Sequence, residues 1–463
     1  MPNASSNAIM SAPVDCDVVV VGASLAGCTA ALLLGRAGAR VALVERRGDP
    51  QAFKRICGHY IQPSAVATLE RIGLLDPILA AGGVRSALRL WTPWGVIDPV
   101  DPAVIPRGVN IRRERLDPLV RELAAAQDGV ELLLGQTVTR LEHDGEGFCG
   151  VQLCDRRGAA RSVRARLVVG ADGRTSPVAE LAAVPKRVSR HGRFSYAAYY
   201  EGPQPAGSPD ARLWLLDPQW GAAFPTDAEL TMYSCMPTKD RLPEFRRDLD
   251  TALTAFIAGL PDPPPIRESR RVSPILGKIE MPNVQRSPVA PGLALVGDAA
   301  LATDPLWGVG CGWAFQTAEW MADAVSAALV GQMPLSAGLD RYRRRFRRGL
   351  AGHAFMIRDY AGGRRMSPIE RVLFSTAAHD RRAAEALGRF GARMAGPQTL
   401  LSPALAARIP VAQLRRHRAG RGKLAAAAAG RRRPGDEGRS DLPVVPEGVR
   451  DPTHAPPVLF GHR

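Results

Sequence analysis

From Asp17 the chain runs apolar to Val21, turns through GASLAG at 22–27, continues as a helical stretch from Leu25 to Gly38, and returns as an apolar strand, Arg40 to Val44, that ends on Glu45. Strand, glycine turn, helix and second strand make a complete β-α-β unit, which commits the chain to a sheet with parallel strands and helical crossovers. Gly22 and Gly27 hold the first and third glycine places of the dinucleotide fingerprint, where they permit the tight turn and close helix packing. Ser24 takes the middle place. A helix start offers free N–H groups and a positive dipole to a pyrophosphate, and an acid ending the next strand accepts ribose hydroxyls. Gly22, Ser24, Leu25, Ala26, Gly27 and Glu45 are therefore candidates for holding the ADP half of a dinucleotide, without a 2′-phosphate.

Two further stretches point the same way. Val163 to Val169 reads as a strand ending in Gly170-Ala171-Asp172-Gly173, and Leu293 to Val296 as a strand ending in Gly297-Asp298, followed by Pro305 and glycines at 308, 310 and 312. Glycines there let backbone N–H groups come close to a ligand. Helical patterns fall at about 63–79 and 116–127, and strand patterns at 88–91, 94–97, 130–134, 138–143 and 151–153. Between about 190 and 285 the pattern changes to strands with turn signals: Phe194 to Tyr200, Arg212 to Leu216, Trp220 to Phe224 and Glu229 to Cys235. The expected architecture is α/β. A Rossmann-like domain with a central parallel sheet (15–85, 108–187, 286–345) carries an inserted antiparallel-sheet substrate domain (86–107, 188–285) and C-terminal helices (346–420). Residues 1–14 and 421–463 read as disordered.

The net charge of +16 raises the question of a nucleic-acid partner. Most of the excess lies in two clusters, Arg341 to Arg348 and Arg408 to Arg433. The first recurs around Tyr342, Phe346 and Leu350 at helical spacing, as on a solvated helix face, and the second falls in an alanine- and proline-rich tail. Neither resembles a nucleic-acid fold, and no such partner is expected. The chain has no apolar run long enough to span a membrane and no signal peptide. Its seven scattered cysteines lack metal-ligand spacing, so no metal is expected and the cytoplasm is the natural compartment.

The three signatures, GASLAG with Glu45, GADGRTSPV at 170–178 and GDAALATDPLWGVG from 297, stand in the order of the flavoprotein monooxygenases of the para-hydroxybenzoate hydroxylase type. The resemblance extends over about 15–345 and includes the related flavin-dependent halogenases and geranylgeranyl reductases. It implies permanently held FAD, with NAD(P)H as a transient electron donor that needs no second Rossmann domain. By the same resemblance Gly22 to Gly27, Glu45 and Arg46 hold the ADP half, Val138 lies near the adenine, and Arg113 and Arg55 contact the cofactor. Asp172 and Gly173 match the second motif. Asp298 falls near the pyrophosphate and ribityl chain, and Pro305, Gly308, Gly310, Cys311 and Gly312 face the flavin.

The implied reaction inserts one atom of O2 into a small organic substrate through a flavin hydroperoxide, and no catalytic side chain is assigned. Trp91, Trp94, Trp214, Trp220, Tyr196, Tyr199, Tyr200 and Tyr233 on the second domain's strands, with Trp307 and Trp313 beside the flavin-facing glycines, suit an apolar, aromatic or polycyclic substrate. Cys57, His59 and Tyr60 pass near the flavin in the family. Local packing is their simpler role; His59 as a base, flavin contact or covalent anchor is the sharper one. Leu301 replaces the histidine of many hydroxylases, and Asp304-Pro305 is closer to the halogenases and reductases. An FAD-dependent reductase of an isoprenoid or other unsaturated substrate is therefore the alternative. A halogenase is less favoured because the W-x-W-x-I-P signature is missing, and a non-redox binding protein would be colourless. Oligomeric state is not legible.

Overall fold

The computed structural model describes residues 15–414; the expected disordered ends and most of the second arginine cluster lie outside them. Cys16–Val21 pairs in parallel with Val41–Glu45 on one side and with Ala160–Gly170 on the other. Val130–Leu134 extends the sheet beyond Val41–Glu45, and Leu293–Leu295 extends it beyond Ala160–Gly170. Parallel strands buried on both faces need continuous apolar runs, and Val18, Val19, Val20 and Leu43 are wholly buried. The Leu25–Arg36 helix is buried almost throughout and packs against the Gly310–Leu329 and Arg113–Ala125 helices. Leu32 and Leu34 each contribute about 1.5–3 kcal/mol by leaving water.

Local departures have physical causes. The helical stretch expected over 63–79 is a 3-10 turn and two helices, Val66–Ile72 and Leu75–Ala80, broken at Gly73, whose φ of +75° ends the first helix left-handed. The helix expected from 116 starts at Arg113 and carries Pro118 inside it.

The second sheet runs Arg270–Arg271, Ser195–Glu201, Thr231–Met236, Trp220–Pro225, Ala211–Leu215, Leu88–Thr92 and Gly95–Ile97. Most pairs are antiparallel, but Ala211–Leu215 meets Leu88–Thr92 in parallel, which makes the sheet mixed. Side chains alternate across it. Tyr200, Trp214, Tyr233 and Cys235 pack toward helices Leu242–Arg247 and Leu249–Ala258, while Ala211, Ala222, Phe224 and Met232 form the opposite face with Tyr60. The helix expected around Tyr342, Phe346 and Leu350 is Leu335–Ala361, with those three residues buried and the arginines between them exposed. Pro368–Ala377, held by a Ser367–Glu370 capping box, and Arg381–Gly391 follow. Their apolar faces join Ile97, Leu215, Trp220 and Leu306 in one core.

Candidate active site

One continuous cavity of about 980 Å³ runs from the glycine turn past the Gly310–Leu329 helix start to the cavity face of the second sheet and the C-terminal helices. Of the predicted site residues, Gly22, Ser24, Leu25, Ala26, Glu45, Arg46, Arg55, Arg113, Val138, Asp172, Gly173, Asp298, Pro305, Gly308, Gly310 and Cys311 line it. Gly27 and Gly312 do not. A Cβ on Gly27 would stand 1.8 Å from the Gly22 carbonyl oxygen, so its bare backbone serves helix packing, as the third fingerprint glycine should. Gly312 faces Gln62 and Ala65.

Two long helices start at this wall. The first N–H to bond back along the Leu25–Arg36 helix is that of Cys28, to Ser24, and along the Gly310–Leu329 helix that of Trp313, to Val309. The preceding N–H groups at each start are left as donors. A Cβ at Gly310 or at Gly173 would have open space around it, so both leave the wall open to a ligand. The Glu45 carboxylate accepts from the N–H groups of Ala23 and Arg47 at 3.0 Å, which aims it across the turn.

The Arg113–Ala125 helix braces the turn through a stripe that lies outside the three glycine motifs. Arg113, Asp117 and Arg121 recur at four-residue spacing on one buried face. Arg113 pairs with Asp117 at 2.6 Å and donates to Ser24 Oγ at 2.8 Å, so the Ser24 hydroxyl is engaged by the protein. Arg121 donates to the carbonyls of Ala23 and Ala52. Asp172 is engaged too: its carboxylate accepts from Ser176 Oγ and the Val178 N–H, which caps the Pro177–Leu181 helix. Burial raises its pKa. Lys54 meets Asp298 at 3.2 Å. Burial alone would raise the Asp298 pKa, but Lys54 and Arg174 hold the carboxyl below its usual range.

Near the Gly308–Cys311 wall, His59 is buried with a left-handed backbone, φ +57°, and shares a short hydrogen bond between its Nε2 and the Tyr199 hydroxyl. Burial pushes its pKa down to about 4, so the ring is neutral at neutral pH. Nε2 is taken by the Tyr199 hydroxyl, and Nδ1 has no protein partner among the described residues. Gln62 donates to the Trp307 carbonyl while its Oε1 is likewise unpartnered.

The aromatic expectation is corrected by the strand alternation. Tyr199, Trp220 and Trp307 line the cavity, whereas Trp91, Trp94, Trp214, Trp313, Tyr196, Tyr200 and Tyr233 do not. Trp91 and Trp214 stack on each other at 5.1 Å in the core behind the sheet. The C-terminal helices supply apolar wall instead, through Met356, Ile357, Leu373, Phe374 and Phe390. Among them stands Arg393, φ +62°, which donates to His353 Nδ1 at 3.1 Å and has no partner for Nε or Nη2 among the described residues.

These features fit a flavin adenine dinucleotide: donors at two helix starts for the pyrophosphate and the ring, an acid for the ribose, and unpartnered polar atoms beside the second helix start. Fold and site together define a flavoprotein built on a dinucleotide-binding domain. Residues 15–200 match the FAD binding domain family. The chain is 35% identical over 175 residues to 6-methylpretetramide 4-monooxygenase of Streptomyces rimosus, covering 36% of this chain and 41% of that protein. It is 28% identical over 362 residues to the menaquinone reductase of Mycobacterium tuberculosis (strain ATCC 25618 / H37Rv), covering 73% and 83%. The curated relatives matched at 35% identity or more are spanned over 32% to 41% of their length. The fold is shared with p-nitrophenol 4-monooxygenase PnpA from Pseudomonas putida DLL-E4, with a TM-score of 0.69 at 22% identity over 82% of this chain and 98% of that one. The chain thus carries a match to an FAD binding domain over residues 15–200, and the curated proteins it is similar to are named as a monooxygenase and a reductase.

Proposed function

We propose that this chain is an FAD-dependent monooxygenase that uses NAD(P)H and O2 to insert one oxygen atom into an apolar, aromatic or polycyclic substrate. The observation that carries the reading is the continuity of this cavity, which joins the glycine turn to an apolar chamber between the second sheet and the C-terminal helices. Gly22 to Ala26, Glu45 and Arg46 would hold the ADP half, with Val138 at the adenine. Arg55, Arg113, Asp172, Gly173 and Asp298 would border the middle of the cofactor, and Pro305, Gly308, Gly310 and Cys311 its ring end. Bound FAD supplies the electron transfer from NAD(P)H and the reaction with O2.

The chain's own residues do the rest. N–H groups at the Gly310–Leu329 helix start stabilise negative charge on the ring side of the cavity. Neutral His59, oriented by Tyr199, leaves its Nδ1 free for a hydrogen bond to the bound ligand. Phe224, Met232, Trp307 and Phe374 hold an apolar body and exclude water, which favours productive oxygen transfer.

The reductase reading is favoured by the long alignment with a protein named menaquinone reductase. The two separate in one experiment: the purified protein, NAD(P)H and a candidate substrate in labelled dioxygen. Substrate-dependent NAD(P)H oxidation with matching O2 uptake and one labelled atom in the product supports the monooxygenase. Equal turnover under argon would defeat it.

A further inference from the structure

Cys57 and Cys311 come from different motifs, the ICGHYIQPSA loop and the glycine-rich helix start, yet their sulfurs lie 3.5 Å apart and both line the cavity. Both are free thiols. Around Cys57 the groups are positive or donating: Arg113 Nη1 stands 3.6 Å from its sulfur and the His59 N–H 3.4 Å. The hydrogen bond with Cys311 holds the Cys57 thiol well below its ordinary range, against burial, with help from Arg113, His59 and Lys54. The same contact pushes Cys311 up. Two sulfurs in contact, one of them with its ionised form favoured by its surroundings, are the arrangement from which a disulfide forms and to which it returns. Cys16, Cys28 and Cys235 differ: burial raises each of them.

We propose that Cys57 and Cys311 form a dithiol–disulfide couple that exchanges an electron pair with the flavin of this cavity, an inference that rests on the cavity being the FAD site. On oxidation the S–S bond forms and the Cys311 S–H bond breaks. The electron pair and that proton pass to oxidised FAD, which becomes its anionic two-electron-reduced form, and the thiolate charge of Cys57 goes with them. Reduction of the disulfide is the same step reversed. The pair thus gives the site a second two-electron store beside the flavin.

The test uses the full chain with FAD bound, treated with diamide, desalted and titrated anaerobically with dithionite while flavin absorbance is followed. Thiols are counted by alkylation and mass before and after. The expected wild-type result is five free thiols of the seven, a Cys57–Cys311 linked peptide, uptake of four electrons per FAD, and seven thiols at the end. Wild type reduced beforehand with dithiothreitol, and the Cys57→Ser and Cys311→Ser variants, take up two. The two wild-type arms decide the matter even where a serine variant fails to fold. Diamide-treated wild type that takes up two electrons per FAD overturns the exchange, and seven free thiols in an FAD-loaded chain overturn the couple. A chain that carries no FAD overturns the function reading as well, and its thiol count shows separately whether the sulfurs join.

Discussion

Arg193 Nη2 donates to Asp304 Oδ2 at 2.9 Å, with both side chains closed off from solvent. His191 Nε2 reaches the same oxygen at 3.0 Å, and the other carboxylate oxygen accepts from the Leu306 N–H. Arg193 also donates to the Tyr360 carbonyl. One carboxylate thereby ties the loop carrying Pro305 and Gly308 to the start of the second sheet and to the long C-terminal helix. Asp304 of the Asp304-Pro305 pair is a structural anchor beside the cavity.

Replacing Asp304 with Ala leaves Arg193 buried without its counter-charge, and the expected loss is about 3–5 kcal/mol of folding stability, read by urea denaturation. Burial alone would raise the Asp304 pKa, but His191 and Arg193 hold the carboxyl below its usual range. It stays ionised in the folded chain where the unfolded chain takes up a proton. Its contribution is therefore complete above the unfolded carboxyl pKa and is lost as pH falls through the folded value.

Two glycines of the site separate folding from ligand binding. Gly27→Ala puts a Cβ 1.8 Å from a backbone oxygen, so soluble yield collapses. Gly310→Val meets open space on the cavity side; the variant melts within a few degrees of wild type but loses FAD affinity, as dialysis and flavin release would measure.

His59 carries a second acid signature. Its folded pKa of about 4 lies below the ordinary histidine value of about 6.5. Between those values the unfolded chain is protonated and the folded chain is not, so about 3 kcal/mol of stability is lost as pH falls across that window. Denaturation midpoints measured from pH 7 to 4 should fall, and His59→Gln should flatten the fall. An unchanged slope would show that His59 takes up its proton in the folded chain.

The β-α-β unit was legible because its signal is local: an apolar strand, a glycine that turns left-handed at φ +105°, a helix start and a strand-end acid, all within Asp17 to Glu45. The Gly-Asp motif at 297–298 was legible for the same reason. What escaped was set by distant partners. Nothing near Asp304 announces Arg193, and nothing near Ser24 announces Asp117. Alternation says that Tyr199 and Tyr200 point opposite ways but not which faces the cavity, and the helices at 242–258 decide it by covering Tyr200. The parallel pairing of Leu88–Thr92 with Ala211–Leu215 likewise joins segments far apart in the chain.

The most direct measurement is the FAD content of the purified full chain, released by denaturation and quantified per folded polypeptide. One equivalent per chain is predicted, with affinity lowered about tenfold or more in Glu45→Gln, where a charge-assisted hydrogen bond to the ribose is lost. A folded wild-type chain that neither carries FAD nor takes it up would contradict the account.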